Sequence, residues 1–363
     1  MPAWTPFLLL AFAQEPQRNW TIFADQVYAT GGKTIANGTV VVSGKTIASV
    51  GVGRDDVSDQ SLLKVHAVTA GLIDASVRIT GEARSVEQSN EVSPSIRVAD
   101  SLDPFAVDWD RELRSGVTTV LACPPDLDVI GGLGVVLKTG GAPSVAKRTV
   151  RADAVLRGAM GSQPSAGNHP AFGRPTDFYS RRPTTRMGVE WEWRKAFYDA
   201  AASRRDESRR FEGSDLLLRA LGGDLTLAIQ AWTTQDIRTA VFLKEEIERE
   251  LGGHPRLIVD AAAEAWKEPQ LLVRSGAAVV LPPFPSSGRT GEGSFMAWNV
   301  ARLLHDQGVP IALSSHGLPG IEDRLPMQAA YAMRGGLPFE AALDAVTIAP
   351  ARMLGVQDRV GSV

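Results

Sequence analysis

From Leu225 to Leu354 the chain alternates short apolar runs with longer amphipathic ones, and this rhythm restricts the fold more than any other feature. Leu225 to Trp232 reads as a strand. The next segment, Gln235 to Leu251, places Ile237, Ala240, Val241, Lys244, Ile247 and Leu251 near one helical face, and Gly252-Gly253 supplies its stop. Strands follow at Leu257 to Asp260, Ala277 to Leu281 and Val309 to Leu313. Between and after them the pattern predicts helices from Pro269 to Arg274, from Phe295 to Gln307, and then through Arg334, Val346 and Leu354. Repeated strand-then-helix units of this length predict parallel strands joined by right-handed crossovers. Eight of them close into a (β/α)8 barrel, which carries its functional groups at the C-terminal ends of the strands.

Composition narrows the function classes. With 363 residues, 44% of them hydrophobic, the chain can bury one large core and a smaller one. A net charge of −3 gives no electrostatic footprint for nucleic acid. Arg204-Arg205 and Arg209-Arg210 are interleaved with Asp206 and Glu207, the pattern of a solvated helix face. No segment is apolar for long enough to span a bilayer. The single cysteine, Cys123, lies in the apolar run Val120-Leu121-Ala122-Cys123 and reads as a buried structural thiol, so no cysteine-based metal site is expected. The five histidines, His66, His169, His254, His305 and His316, show no short zinc spacing. Gly131-Gly132-Leu133-Gly134 precedes a strand-like run and lacks the lysine of a phosphate loop. At the N-terminus, Phe7 to Ala13 is an apolar run ending in Ala11-Phe12-Ala13 before Gln14, a signal-peptide cleavage pattern, although no basic residue precedes Arg18. Residues 1–13 are therefore expected to be a signal peptide of an exported protein, periplasmic or extracellular.

Several motifs stand in a recognisable order. Val68-Thr69-Ala70-Gly71-Leu72-Ile73-Asp74-Ala75-Ser76-Val77-Arg78 comes first, then Gly116-Val117-Thr118-Thr119-Val120 and Ile130 to Lys138. Pro183-Thr184-Thr185-Arg186-Met187-Gly188-Val189 and the closing Asp358-Arg359-Val360-Gly361-Ser362 complete the series. Together with the β-rich segments Thr21–Tyr28 and Asn37–Gly51, this series resembles the amidohydrolase superfamily, most closely its imidazolonepropionase-like branch. The resemblance implies a small β domain over residues 20–66 and a TIM-like barrel over 67–354. Residues 355–363 would begin a return segment to the β domain that stops at Val363, so either the sequence is truncated there or the small sheet lacks its closing strands and exposes an edge. It also implies hydrolysis of non-peptide C–N bonds by a metal-bound water, with a strand-eight aspartate taking the proton.

The positions that would hold the metal carry other residues. Period-2 alternation puts positions 76 and 78 on one face, and the resemblance makes them the first ligand pair, but here they are Ser76 and Arg78. The resemblance likewise equates Gln230 and Trp232 with the strand-five histidines, Ala261 with the strand-six histidine and His316 with the strand-eight aspartate. A serine is a poor zinc ligand and a guanidinium cannot become one. The expectation is therefore a pseudoenzyme with no metal and no cofactor, retaining a barrel-mouth pocket for a small molecule or a partner. The alternative is rebuilt, metal-independent hydrolysis using His316 with Asp260 or Glu264. Arg78 either places a fixed positive charge balanced by Asp260 or Glu264, or fills a vacated polar pocket. Trp232 is expected to project into the space a metal would need. Lys138 could by resemblance be a carboxylated metal-bridging lysine. Ser76, Ser314 or Ser315 with His316 would be the elements of a serine hydrolase, and Gly158 to Arg182 reads as a lid-like insertion. The identity of the ligand and the oligomeric state are not encoded in any of these motifs.

Overall fold

A computed structural model describes residues 19–29, 31–53, 62–78, 87, 90–165, 182–285 and 291–363. The segment expected to be a signal peptide, His169 and most of the insertion expected to be lid-like lie outside these residues. The chain divides into two compact units, residues 1–69 with Val363, and residues 70–362.

The first unit is a four-stranded sheet. β1 (Asn19–Ala29), β2 (Lys33–Ser43), β3 (Thr46–Val52) and β4 (Leu62–Val68) lie in the order β3-β2-β1-β4. The first three pair as antiparallel neighbours and β4 runs parallel to β1. Ala24, Val27 and Val40 form its buried centre.

The second unit is an eight-stranded barrel. Its strands are β5 (Leu72–Val77), β6 (Val117–Ala122), β7 (Ile130–Lys138), β8 (Thr149–Ala159), β9 (Thr226–Gln230), β10 (Leu257–Asp260), β11 (Ala278–Leu281) and β12 (Ile311–Leu313), each hydrogen-bonded to the next. A parallel bridge between Val77 and His316 brings the two ends together. The helices are α1 (Val107–Arg114), α2 (Val145–Arg148), α3 (Arg186–Ser203), α4 (Ser214–Leu221), α5 (Thr234–Leu251), α6 (Pro269–Ser275), α7 (Val300–Asp306), α8 (Leu325–Arg334), α9 (Phe339–Asp344) and α10 (Ile348–Met353). No helix among the described residues is long and apolar enough to cross a membrane.

Two expectations need correction. The strands are not all parallel, because β7 runs antiparallel to both β6 and β8. A parallel return needs a crossover of about a dozen residues or more, and the helix-free 123–129 connection is too short for one. The helix expected from Phe295 begins only at Val300. The Phe295 carbonyl instead accepts from the indole of Trp266 at 2.9 Å, outside any helical ladder.

Side-chain alternation explains how the barrel fills. One buried cluster takes residues from every strand: Ile73, Leu121, Val136, Val155, Ala228, Ile258, Val280 and Ala312, with Ile348, Ala351 and Leu354 closing one end. Such a cluster can only be the barrel interior. The alternate positions, among them Val120, Leu156, Leu227, Ile229, Val259, Leu281 and Leu313, pack outward with the helices. α5 shows the local logic. Thr233 caps its start by accepting from the Asp236 N–H, and Gly252, at φ +64°, ends it in the left-handed conformation that favours glycine.

Candidate site at the barrel mouth

The interior register puts a layer of polar side chains directly above the apolar one. Arg157 follows Val155, Gln230 follows Ala228 and Asp260 follows Ile258, each two residues on and therefore on the same face. Their centre is Arg157. Its Nη2 lies 2.6 Å from Asp126 Oδ1 and 2.5 Å from Asp260 Oδ2, and its Nε donates to Asp126 Oδ1 at 2.7 Å. Arg157 is among the largest fully buried side chains. Burial disfavours its charge, but Asp126 and Asp260 outweigh that and hold the guanidinium firmly protonated. Burial likewise opposes ionisation of Asp260. Arg157 first, then His316, overcome it and keep this carboxyl well below the usual carboxylate range.

The residues singled out from the sequence meet here. Ser76 donates to Asp260 Oδ2 at 2.8 Å. Arg78 pairs with Asp126 through Nη2, and Gln230 donates to the same Asp126 oxygen at 2.9 Å. His316 Nε2 stands 3.5 Å from Asp260 Oδ1, and Trp232 packs edge-on to the His316 ring with centroids 6.1 Å apart. Trp232 is buried against Ala261 and Ala263, so the indole fills the space left beside the small residue at 261. β5 contributes through a register shift between Asp74 and Val77. Below the shift Asp74 points to β12, accepting from Ser315 N–H at 2.8 Å and from the hydroxyls of Ser314 and Ser315 at 2.6 Å each. Ser76 and Arg78, beyond it, reach the Asp126–Arg157–Asp260 centre. Ala261 and His316 both adopt positive φ, +56° and +52°, a conformation costly for residues other than glycine.

Other candidates stand apart. Glu264 accepts from Thr234 N–H and Oγ1, both at 2.8 Å, and pairs with Lys267 at 2.9 Å, so it balances neither Arg78 nor His316. Arg78 finds Asp126, not Asp260. Lys138 ends the antiparallel β7 and donates to Thr119 near the start of β6, which places it at the opposite end of the barrel. Cys123 faces the interior cluster, and burial pushes its thiol up to about 12, which leaves it unreactive. None of the Ser76, Ser314 and Ser315 hydroxyls donates to the His316 ring, since each donates to a carboxylate. Among the described residues, no three histidine, cysteine, aspartate or glutamate side chains are grouped so as to hold a metal ion.

Asp126 and Arg157 escaped the sequence reading. A lone arginine in the otherwise apolar run Ala154-Val155-Leu156-Arg157-Gly158 was the available signal, because a charge at an inward strand position demands a partner. Gln230 Oε1 and Trp232 Nε1, both buried, have no hydrogen-bond partner, and Asp260 Oδ1 and His316 Nε2 have only each other, at 3.5 Å. The arrangement can therefore offer two acceptors, an indole donor and an imidazole to a small polar molecule.

No family model matches the chain. It is 25% identical over 317 residues to amidohydrolase tasK of Hapsidospora irregularis, a match covering 78% of this chain but only 31% of that protein. The chain thus spans under a third of that relative's length. The solved amidohydrolase of Thermotoga maritima MSB8 is 25% identical with a TM-score of 0.81, covering 94% of this chain and 90% of that one. A. niger ochratoxinase superposes with a TM-score of 0.52 over 95% of this chain and 86% of its own, and at 17% identity that likeness speaks for the fold alone. Sequence and fold together place the chain in the amidohydrolase superfamily.

Proposed function

We propose that this protein keeps the amidohydrolase barrel but not metal-dependent hydrolysis, and that its mouth is a polar pocket for a small-molecule ligand. The observation that carries the reading is Arg157. Its guanidinium takes both carboxylates that could face a cation, Asp126 and Asp260. A divalent ion there would meet a fixed positive charge, one imidazole, a serine, an amide and an indole, a donor set that does not suit zinc or its relatives. The metal that superfamily membership implies therefore does not fit these residues, and no step is routed through it. What remains is a charge-balanced centre, two guanidinium groups against two carboxylates, with unpartnered polar atoms around it. The motif likeness to the imidazolonepropionase-like branch adds to this reading as a likeness of framework.

Thermal unfolding with and without chelator, and with added zinc or manganese, tests the proposal. A group bound only by the native state raises its melting temperature by mass action. Curves unchanged by both treatments are expected, and a clear fall with chelator would refute the reading. One observation favours a second reading, metal-independent hydrolysis: His316 stands beside Asp260, the pairing that orients an imidazole as a general base. Under that reading His316→Ala abolishes a measurable C–N hydrolysis of the wild-type protein.

A further inference from the structure

We infer that the space between Asp126 and Asp260 is a cation site occupied by the chain's own Arg157, and that removing this side chain lets the site take a free guanidinium ion. The inference rests on the reading above that no metal ion sits there.

Three observations carry it. The two carboxylates approach one guanidinium from different elements, Asp126 from the β6–β7 connection and Asp260 from the end of β10, so both are positioned by the fold and not by the arginine. Each also has a donor besides Arg157: Ser76, on the same Oδ2 that Arg157 contacts, for Asp260, and Gln230 with Arg78, on the opposite oxygen, for Asp126. These contacts hold the carboxylates in place when Arg157 is absent. The backbone that presents Arg157 is also pinned. Ala159 N–H donates to the Val129 carbonyl at 3.0 Å, and a Cβ on Gly158 would stand 2.1 Å from that same oxygen. Truncating Arg157 to alanine therefore leaves a buried, preorganised gap facing both carboxyl groups, and a cation entering it restores the charge that keeps Asp260 ionised. Asp260 Oδ1 and His316 Nε2, which face each other at 3.5 Å, stand beside the gap. A planar ion with N–H donors on three sides matches this gap better than a spherical one, because the donors it replaces were themselves those of a guanidinium.

The test uses the full chain with Arg157→Ala. Melting temperature is followed against low millimolar guanidinium chloride, with sodium chloride at equal ionic strength as the control. A saturable rise of several degrees with guanidinium alone is expected, together with no rise in the wild-type protein. Asp126→Asn combined with Arg157→Ala should weaken the response by an order of magnitude or more. If Arg157→Ala does not accumulate in soluble form, refolding from urea into the two salts gives the same reading. Recovery that depends on guanidinium supports the site, and equal recovery in both salts overturns it. A rise with both salts, or with neither, also overturns it. Metal found in the wild-type protein would instead sink the proposed function, so the two failures are distinguishable.

Discussion

Replacing Arg157 by methionine keeps most of its volume and removes its charge, which isolates the electrostatic role of the barrel centre. Asp126 retains Arg78 and Gln230 as partners, but Asp260 keeps only the Ser76 hydroxyl and the more distant His316. Breaking a buried ion pair from one side costs about 3–5 kcal/mol, because the remaining charge is left uncompensated. The pH dependence gives the sign. In the wild-type protein Asp260 has a depressed pKa, so its contribution is present above the unfolded-state pKa and is lost only in strong acid. Without Arg157, burial dominates and the carboxyl is raised, so stability falls as pH rises above the unfolded value. The deficit of Arg157→Met should therefore grow between about pH 4 and pH 8. Urea unfolding followed by tryptophan fluorescence at both ends of that range measures it. Adding Asp260→Asn should recover part of the loss at pH 8, since the amide carries no charge to strand. A deficit below about 1 kcal/mol, or one that does not change with pH, would refute the reasoning.

Other expected outcomes follow from the same geometry. Burial, then the nearby charge of Asp74, pushes Glu112 up to about 7 from 4.5, so the fold loses stability as pH rises through that window, by at most about 3 kcal/mol. Glu112→Gln should flatten the stability profile between those values, and pH-dependent urea titration checks it. Gly132→Ala should cost about 2 kcal/mol or more, because φ is +114° and a Cβ there would lie 2.2 Å from the Ile96 carbonyl oxygen. A denaturation midpoint unchanged from wild type would contradict that contact. Cys123, buried with its thiol raised, should resist a disulfide-exchange reagent in native buffer and react fully in urea, and a fast native reaction would contradict its placement.

The barrel was legible because periodicity and helix stops are local. The segments of β9 to β12 and their helices follow from apolar spacing and from glycines such as Gly252. Strand direction is not local. Ile130 to Lys138 reads as a strand in either sense, and only the shortness of the 123–129 connection fixes β7 as antiparallel. The mouth was half legible. The family resemblance singled out Ser76, Arg78, Gln230, Trp232, Ala261 and His316 and strand-end register put them at one mouth, where the structure brings them together through Asp126, Arg157 and Asp260. The centre itself depends on contacts between residues far apart in the chain, such as Arg157 with Asp260, which no spacing rule reveals. The choice of Asp126 over Asp260 or Glu264 as partner of Arg78 belongs to the same class, since Glu264 is drawn away by Thr234 and Lys267.

The central claim is that a side-chain cation, and not a metal ion, holds the barrel mouth. Elemental analysis of the purified wild-type protein after dialysis tests it most directly. The account predicts zinc, iron, manganese and nickel all far below equimolar with the chain, in preparations made with or without metal supplementation. A full equivalent of any of these metals, retained through dialysis and removed only with loss of stability, would contradict it.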